Sequence, residues 1–372
     1  MAGVEGLSFL KRRRTIMHNL FVDTRKIYSA LSDEISRKIF IARFNCSATG
    51  DVRFIEDIPM EYRNISADIQ MFANKLYEKS PNHLVVFGAG ANGRDLVSSL
   101  KKVPFLCFID NKKQMERETR TGLPVYSLDE YREKYDIDNT KFVISVSNKI
   151  FIKQIVEQLK GVGVLDNHII SIADWRNNTS QYFDVFTARE NESFVDCGCY
   201  DGSTAFRFAG WCAENGVSYD RIWSFEPDKN SFVKCKNILS TLANCDLYPY
   251  GISNKEGTVS FFANGHENAR IIKGEAGEDS RIESIEVIKL DEFLKDERVT
   301  FIKMDIEGAE YDALQGAAQI IKDQKPRLAI SVYHKPDDII NIPKLLLSLR
   351  ADYRFYLRHY SLLANEIVLY AE

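Results

Sequence analysis

One short loop of the sequence combines glycines with carboxylates, a combination that suits a positively charged ligand. The stretch FVDCGCYDGST has Asp196, Gly198, Asp201 and Gly202 directly after apolar residues. Glycine lets a ligand approach the backbone, and the following Ser-Thr can begin a helix whose N-terminus has a partial positive charge. A pyrophosphate would need nothing more, and the two acids would repel it. The loop therefore favours a ligand with a cationic amine or sulfonium group.

A further acid, Glu226, ends the next apolar segment, RIWSFEPD. An acid at the end of the second strand of a nucleotide-binding fold can accept the hydroxyls of a ribose. A nucleoside that carries an amino acid meets both requirements, so we expect S-adenosylmethionine as cofactor. Tyr200 and Pro227 adjoin these acids. The alternative is a tight turn in which the glycines are purely structural and Asp196 is a cap.

Two acids and a histidine follow later apolar segments and could perform chemistry. Asp305 and Glu307 lie in TFIKMDIEG, and His334 ends RLAISVYH. Transfer of a methyl group to a hydroxyl needs an aligned acceptor and a base within hydrogen-bond reach. We expect His334 or Asp305 to be that base, with Asp305 and Glu307 also binding the acceptor. Alternatives remain open: Asp305 could cap a helix, Glu307 and Glu310 could be first-turn acids, and Asp305, Glu307 and His334 could hold a divalent cation.

A different glycine loop, GAGANG, lies earlier in the chain. Gly88, Gly90 and Gly93 follow an apolar segment and precede a helical pattern, with Asp110 at the end of the next segment. These are marks of a dinucleotide fold, but the segment has about half the length of a full one. FIDNKK…GLPVYSLDEY resembles small Rossmann-like domains of sugar acyltransferases and sugar C-methyltransferases. The resemblance implies a nucleotide-sugar or nucleotide site at these glycines, or a scaffold without ligand; NAD also remains open.

Apolar segments alternate with helical patterns twice along the chain, which predicts two parallel sheets. The last two segments, YRFYLRHYS and NEIVLYAE, have no helix between them and predict an antiparallel hairpin at one edge. The expected fold is α/β, with two tandem Rossmann-like domains and an N-terminal helical arm that packs on the chain or on a second subunit. We expect the arm at 1–80, the small domain at 81–175 and the cofactor-binding domain at 176–372.

Four motifs in the C-terminal half resemble the FkbM family of S-adenosylmethionine-dependent methyltransferases. They are FVDCGCYDGST, SFEPD, FIKMDIEGAEYDALQGA and the closing YRFYLRHYS…NEIVLYAE. The resemblance implies a class I methyltransferase fold and methyl transfer to oxygen, commonly on sugars or glycosylated natural products. By position it places Asp196, Gly198 and Gly202 around the methionine part of the cofactor and Glu226 on its ribose. The third apolar segment, CDLYPYGIS, predicts one strand. Near its end, where many class I methyltransferases have an acid close to the adenine, this chain has Gly251, so adenine would meet apolar and backbone groups.

Composition narrows the class of protein further. The chain has 372 residues, 45% of them hydrophobic, and a net charge of −4, which gives no indication of nucleic-acid binding. No apolar stretch is long enough to cross a bilayer, and irregularly spaced cysteines predict a reducing cytoplasm. The leading hypothesis is an O-methyltransferase for a saccharide, nucleotide-sugar or glycoconjugate precursor. The alternatives are an NAD-dependent sugar oxidoreductase that uses GAGANG, and a non-catalytic cofactor-binding protein.

Overall fold

The computed structural model describes residues 20–65, 67–77, 83–146, 148–171, 181–263, 270–271 and 282–372. The chain forms two compact units. The first takes its described residues from 1–44, 180–358 and 366–372, and the second from 45–179 and 359–365. The division into three segments remains a prediction, and its boundary at 175–176 lies outside the described residues.

Strands and helices of the described residues are numbered here in chain order. The strands are β1 (His83–Phe87), β2 (Phe105–Ile109), β3 (Val125–Tyr126), β4 (Thr140–Ile144), β5 (Ile169–Ser171), β6 (Glu192–Cys197), β7 (Tyr219–Phe225), β8 (Cys245–Tyr248), β9 (Gly251–Ile252), β10 (Gly257–Phe262), β11 (Arg270–Ile271), β12 (Ile282–Ile288), β13 (Phe301–Met304), β14 (Arg327–Ser331), β15 (Phe355–His359) and β16 (Ile367–Ala371). The helices are α1 (Glu34–Thr49), α2 (Arg53–Glu56), α3 (Ala67–Tyr77), α4 (Ala91–Ser99), α5 (Leu128–Lys134), α6 (Lys149–Gly161), α7 (Ser203–Glu214), α8 (Lys229–Leu239), α9 (Leu290–Phe293), α10 (Glu310–Gln315), α11 (Ala318–Gln324) and α12 (Asp338–Leu349). Residues 20–30 are also helical, and Met60–Tyr62 and Asp166–His168 form single 3₁₀ turns.

The first unit contains a seven-stranded sheet with the order β15-β16-β14-β13-β6-β7-β8. β6 is parallel to both of its neighbours, β7 and β13. β14 is parallel to β13 and antiparallel to β16. Because the chain runs from β6 outward to β8 and then resumes at β13, the strand order reverses between β6 and β13. Ligands of such sheets bind at the carboxyl ends of the strands at that point, and the predicted α/β fold with an antiparallel strand near one edge is confirmed.

Aromatic packing on one face of this sheet fixes the positions of the central strands. The rings of Phe194 in β6 and Phe208 in α7 are stacked with centroids 4.3 Å apart. The ring centroids of Phe301 in β13 and Phe194 are 5.3 Å apart, and the ring of Phe183 packs against both of these rings. Every residue of β6, β13 and β14 is buried, as expected for parallel strands covered on both faces. The loops that follow these strands therefore start from rigid positions.

The prediction of one strand over CDLYPYGIS is wrong. β8 belongs to the seven-stranded sheet, whereas β9 pairs with β12 in a separate sheet of order β11-β10-β12-β9. Gly251 suits this position, because a Cβ there would lie 3.1 Å from side-chain atoms of Ile285 and Val287. β10 and β12 were not predicted from the sequence, because most of their residues are only partly buried and carry a weak apolar signal.

The second unit contains a parallel sheet of order β3-β2-β1-β4-β5. Its first strand, β1, has β2 on one side and β4 on the other, which is the arrangement of β6 with β7 and β13. Residues between β15 and β16 belong to this unit, which no pattern in the sequence indicated. The Arg63 guanidinium donates to the Leu362 carbonyl at 2.9 Å, and the Asn64 N–H donates to the His359 carbonyl at 2.8 Å.

Helical periodicity around residues 27–40 is interrupted in the structure. Residues 20–30 form one helix, and α1 begins at Glu34. Leu31 forms a β-bridge with Phe355, and Asp33 accepts the N–H of Ser36 at 2.7 Å. An acid that caps a helix start ends the preceding helical run. Within the described parts of the chain, no helix is both long and apolar enough to cross a membrane.

Candidate functional site

The loop after β6 has a backbone that requires glycine. Gly198 and Gly202 have φ values of +78° and +86°, and Tyr200 between them has +51°. A Cβ on Gly198 would lie 2.1 Å from the Asp305 carbonyl oxygen. Only glycine tolerates that approach, which brings the loop against the end of β13. Left-handed residues that are not glycine are strained and concentrate at functional sites, so Tyr200 marks this loop as more than a turn.

Glu226 connects the end of β7 to this loop. One of its carboxylate oxygens accepts the N–H of Tyr200 at 2.9 Å, and the other accepts the N–H of Asp228 at 2.9 Å. The side chain is 6% exposed, and this burial raises the pKa of Glu226 to about 7, although the two N–H groups oppose the shift. Pro227 lies between these acids. Glu226 thus holds the glycine loop in shape and keeps further lone pairs for a ligand.

Asp196 forms a buried ion pair that the sequence analysis missed. Its Oδ1 lies 3.0 Å from Nζ of Lys303, its register partner in β13, and both side chains are almost fully buried. Burial raises the pKa of Asp196, and Lys303 offsets part of that shift. Lys303 also donates to the Gly198 carbonyl at 2.7 Å. In the structure Asp196 therefore faces a lysine that braces the loop, and its contact with a cofactor remains a prediction.

Two further acids near the loop accept N–H groups where helices begin. Asp201 precedes the N-cap residue Gly202, and its Oδ1 accepts the N–H of Ser203, the first residue of α7, at 2.9 Å. Asp228 is the N-cap of α8 and accepts the N–H groups of Asn230 and Ser231. A cap of this kind stabilises a helix by about 1 kcal/mol. The bond from Ser203 and ligand binding by Asp201 are compatible, because the carboxylate has a second oxygen.

Asp305, Glu307 and His334 come together at the ends of β13 and β14, as expected from the parallel strands. His334 Nε2 lies 3.4 Å from Asp305 Oδ1 and 3.5 Å from Glu307 Oε1. On the other side of the ring, Nδ1 lies 2.8 Å from Oε1 of Glu310, which is fully buried. Burial opposes the charged imidazolium, but Glu307, Glu310 and Asp305 outweigh it and hold the pKa of His334 well above its ordinary value. Glu310 was predicted only as a first-turn acid.

Asp305 also has partners from distant parts of the chain. The Tyr182 hydroxyl donates to Asp305 Oδ2 at 2.7 Å, and the Tyr333 hydroxyl lies 3.4 Å from Oδ1. Burial would raise the pKa of Asp305, but His334, Lys303 and the Tyr182 hydroxyl outweigh it and hold that pKa below its ordinary value. Tyr182 carried no signal in the sequence, because its role depends on a tertiary contact.

The turn after β13 aims Glu307 at this cluster. Glu307 has φ +55° and Gly308 has φ +93°. A glutamate in the left-handed region is strained. The Glu307 carboxyl is 27% exposed, and burial raises its pKa despite the contact with His334. The backbone conformation thus holds a carboxyl group in a partly buried place where it is costly to ionise.

The first glycine loop has a similar backbone and simpler surroundings. Gly88 has φ +112°, and a Cβ on Gly93 would lie 2.2 Å from the Gly88 carbonyl oxygen. Asp110, at the end of β2, accepts the N–H of Ala89 at 2.9 Å. The Ser145 hydroxyl, at the end of β4, donates to the Gly88 carbonyl at 2.9 Å. Gly90 precedes α4 without a side-chain cap.

A sheet whose strand order reverses beside a glycine loop and an acid at the end of the second strand defines the class of nucleotide-binding α/β domains. The family follows from comparison with known proteins. The family model described as "Methyltransferase FkbM domain" matches residues 196–355. This part of the chain is therefore an FkbM methyltransferase domain, and the prediction from the four motifs is confirmed.

Individual relatives are more distant. The chain is 27% identical over 145 residues to the 2-O-methyltransferase NoeI of Sinorhizobium fredii (strain NBRC 101917 / NGR234), and the match covers 34% of this chain and 58% of NoeI. The chain thus spans little more than half the length of that relative. The crystal structure of Methyltransferase FkbM from Methylobacillus flagellatus KT has a TM-score of 0.50 and 20% identity, and covers 90% of this chain and 98% of its own. That similarity shows the fold.

Proposed function

We propose that this protein is an S-adenosylmethionine-dependent O-methyltransferase that acts on a hydroxyl of a saccharide, nucleotide-sugar or glycoconjugate precursor. One observation carries the proposal: the glycine loop and the Asp305–Glu307–His334 cluster adjoin each other, since Gly198 meets the Asp305 backbone. A cofactor loop and a cluster able to manage a proton thus lie side by side, as methyl transfer to a hydroxyl requires. The name of the relative NoeI, a 2-O-methyltransferase, supports oxygen as the acceptor.

The cofactor proposal assigns the loop and its neighbours to S-adenosylmethionine, which supplies the methyl group when bound. Gly198 and Gly202 give the loop its left-handed backbone turns, and Glu226 has lone pairs for ribose hydroxyls. The remaining members of the proposed site are Asp196, Tyr200, Asp201, Pro227 and Gly251. Gly251 lies in β9 and has no side chain, so it would act through its backbone.

The proposed base is Asp305. Its pKa is held below the ordinary value, so it is ionised at neutral pH and can accept the hydroxyl proton as the oxygen takes the methyl group from sulfur. His334 is held in the protonated form by its acids and cannot accept that proton in this state. Its proposed role is to orient Asp305 and Glu307, and Glu307 is the proposed contact to the acceptor.

Calorimetric titration tests the cofactor proposal directly. Purified protein is titrated with S-adenosylhomocysteine, NAD⁺ and a UDP-sugar, and the titrations are repeated on Glu226→Ala and on Asp110→Ala, its counterpart at the first loop. We expect S-adenosylhomocysteine to bind, Glu226→Ala to weaken it, and Asp110→Ala to leave it unchanged. Binding of NAD⁺ alone, insensitive to Glu226, would favour the sugar oxidoreductase and overturn the proposal.

The same titration addresses the first loop. A nucleotide-sugar site at Gly88, Gly90 and Gly93 is proposed as an accessory site, supported by the left-handed Gly88 before the helix α4. The acid that would meet a ribose there, Asp110, already accepts the N–H groups of Ala89 and Lys112. A UDP-sugar that binds with Asp110-dependent affinity would support the site.

A cytoplasmic location is part of the proposal, supported by seven cysteines that all carry free thiols.

A further inference from the structure

We propose that Asp305, Glu307 and His334 bind a first-row divalent cation, and that the acceptor hydroxyl completes its coordination. The binding of the cation depends only on these residues, whereas the role of the hydroxyl rests on the proposed function. Each of the three side chains offers one ligand atom, and these atoms lie within 4.8 Å of one another. Two carboxylate oxygens and one imidazole nitrogen form a donor set that suits manganese, iron or zinc. A metal-bound imidazole is neutral, so the cation would displace the proton that His334 carries in its absence.

The separations around His334 fit a cation better than they fit hydrogen bonds. Its side chain is 8% exposed, and Nε2 faces Asp305 at 3.4 Å and Glu307 at 3.5 Å. Hydrogen bonds from nitrogen to oxygen ordinarily measure about 2.7–3.2 Å. Ligands at about 2.1 Å from a tetrahedral metal are separated by roughly 3.4 Å. The distances from His334 Nε2 to the two carboxylate oxygens thus match the distance between two ligands of one metal ion.

The surroundings hold two of the three ligands, His334 and Asp305, in one orientation. The other ring nitrogen, Nδ1, lies 2.8 Å from Glu310, and Glu310 is itself fixed by the N–H of Ile306 at 2.9 Å. A carboxylate behind a histidine is the usual outer partner of a metal-binding imidazole. The Tyr182 hydroxyl holds Asp305 Oδ2 at 2.7 Å, so that Oδ1 is the oxygen facing His334. Both ligands are therefore oriented before a cation arrives.

Three protein ligands leave coordination positions open, which is the arrangement of catalytic metal sites. A cation there would bind the acceptor oxygen and lower the pKa of its hydroxyl, and the proton would pass to the Asp305 carboxylate, the base of the proposed function. The site lies beside the carbonyl of Asp305 that contacts Gly198, so an oxygen bound to the cation would be next to the cofactor loop. The bound cation would therefore be the group that selects a hydroxyl as the acceptor.

The test measures metal binding without any turnover. Full-length protein treated with a chelator is titrated with Mn²⁺ and free Mn²⁺ is followed by electron paramagnetic resonance, with a parallel titration of Zn²⁺ in competition. We expect one site per chain, lost in Asp305→Asn and in Glu307→Gln. Glu310→Gln should weaken it by about 10- to 100-fold. Asp337→Asn, which removes an exposed carboxylate close to His334 in sequence, should bind like the wild type.

The outcomes separate this inference from the proposed function. Absence of Mn²⁺ and Zn²⁺ binding at millimolar concentration, or binding that all four variants share, overturns the metal site. S-adenosylhomocysteine titrated into the chelated protein reports on the cofactor site alone, so binding of that nucleoside without a metal leaves the methyltransferase proposal intact. Thermal unfolding of each variant without metal verifies that the protein is folded, and the isosteric changes keep the volume of each side chain.

Discussion

The two glycine loops share one design and differ in the groups around it. In each, the loop follows the first strand of a parallel sheet, and an acid at the end of the second strand accepts a loop N–H at 2.9 Å, Asp110 from Ala89 and Glu226 from Tyr200. In each, a glycine would clash with a backbone carbonyl if it had a side chain. The backbone alone therefore does not identify the loop that performs chemistry.

The difference lies in the strand on the other side. Beside the first loop, β4 ends in Ser145, whose hydroxyl donates to carbonyl groups of the loop. Beside the second loop, β13 ends in Asp305, which faces His334 and accepts from Tyr182. A hydroxyl group that is engaged with the backbone closes a turn, whereas carboxyls whose pKa values are shifted by burial and charged partners are typical of functional sites. Chemistry is therefore expected at the second loop.

Alanine at the two clashing glycines should give the largest effects. Gly198→Ala would place a Cβ 2.1 Å from the Asp305 carbonyl at a left-handed φ, so we expect turnover and S-adenosylhomocysteine binding to be lost. The strain of the left-handed residue alone costs about 1–3 kcal/mol. Gly93→Ala, with its Cβ 2.2 Å from the Gly88 carbonyl, should lower thermal stability and leave that binding in place. Calorimetry compares S-adenosylhomocysteine binding by the two variants. Loss of binding in Gly93→Ala would contradict the prediction that only the second loop binds this ligand.

The ends of the neighbouring strands provide the second test. Asp305→Asn should reduce turnover by about 10²- to 10⁴-fold, the usual contribution of a general base, while S-adenosylhomocysteine affinity stays the same. Ser145→Ala, the matched change beside the first loop, should leave turnover unchanged and lower stability by about 1–3 kcal/mol, because it removes a buried hydrogen bond. Unchanged turnover in Asp305→Asn would exclude Asp305 from the mechanism.

The pH dependence of stability should report on Glu226. Its pKa of about 7 in the folded protein exceeds the ordinary 4.5, so between these values the folded state keeps a proton that the unfolded state has lost. Stability contributed by this group is therefore present below pH 4.5 and falls as the pH rises to 7, by about 3 kcal/mol at most. Denaturant unfolding at pH 5 and at pH 7.5 measures the loss of stability over this range. The loss should be smaller in Glu226→Gln than in the wild type, because the variant has no carboxyl group to ionise at this position.

A control isolates this group from other carboxyls. Asp338 also has a pKa raised by burial, to about 6, so the wild type has more than one contribution in the same range. Glu292→Gln removes an exposed carboxyl and should unfold with the pH dependence of the wild type. Identical pH profiles for Glu226→Gln and Glu292→Gln would mean that Glu226 ionises normally.

Residues at strand ends could be predicted from the sequence, because an acid or histidine that closes an apolar run must lie at the carboxyl edge of a parallel sheet. Glu226, Asp305 and His334 were found in this way. Lys303 was missed because it lies inside the apolar run TFIKM. Its partner Asp196 occupies the matching register position of β6, so two charges at equivalent depth in neighbouring strands were the available signal.

Contacts that depend on tertiary structure had no counterpart in sequence spacing. Tyr182 reaches Asp305 across more than a hundred residues of chain. The segment between β15 and β16 packs with Arg63, at the opposite end of the sequence. The helical pattern before α1 gave no indication of the break near Leu31, because the bridge to Phe355 that breaks it is equally distant in sequence.

The smallest effect should come from Asp201, where the bond within the loop and ligand binding can be separated. The side-chain oxygen of asparagine accepts a hydrogen bond as that of aspartate does, so Asp201→Asn should keep the bond from the Ser203 N–H and leave the free energy of unfolding unchanged. A partly exposed carboxylate that pairs with the cationic amine of a ligand contributes about 0.2–1 kcal/mol. We therefore expect S-adenosylhomocysteine to bind a few-fold more weakly, with a smaller loss at high salt. The first loop has no acid at this position, only Ala91 and Asn92 before Gly93. Equal affinity for wild type and variant would limit Asp201 to its bond with the Ser203 N–H, and the preference for a cationic ligand would then rest on the buried carboxyls.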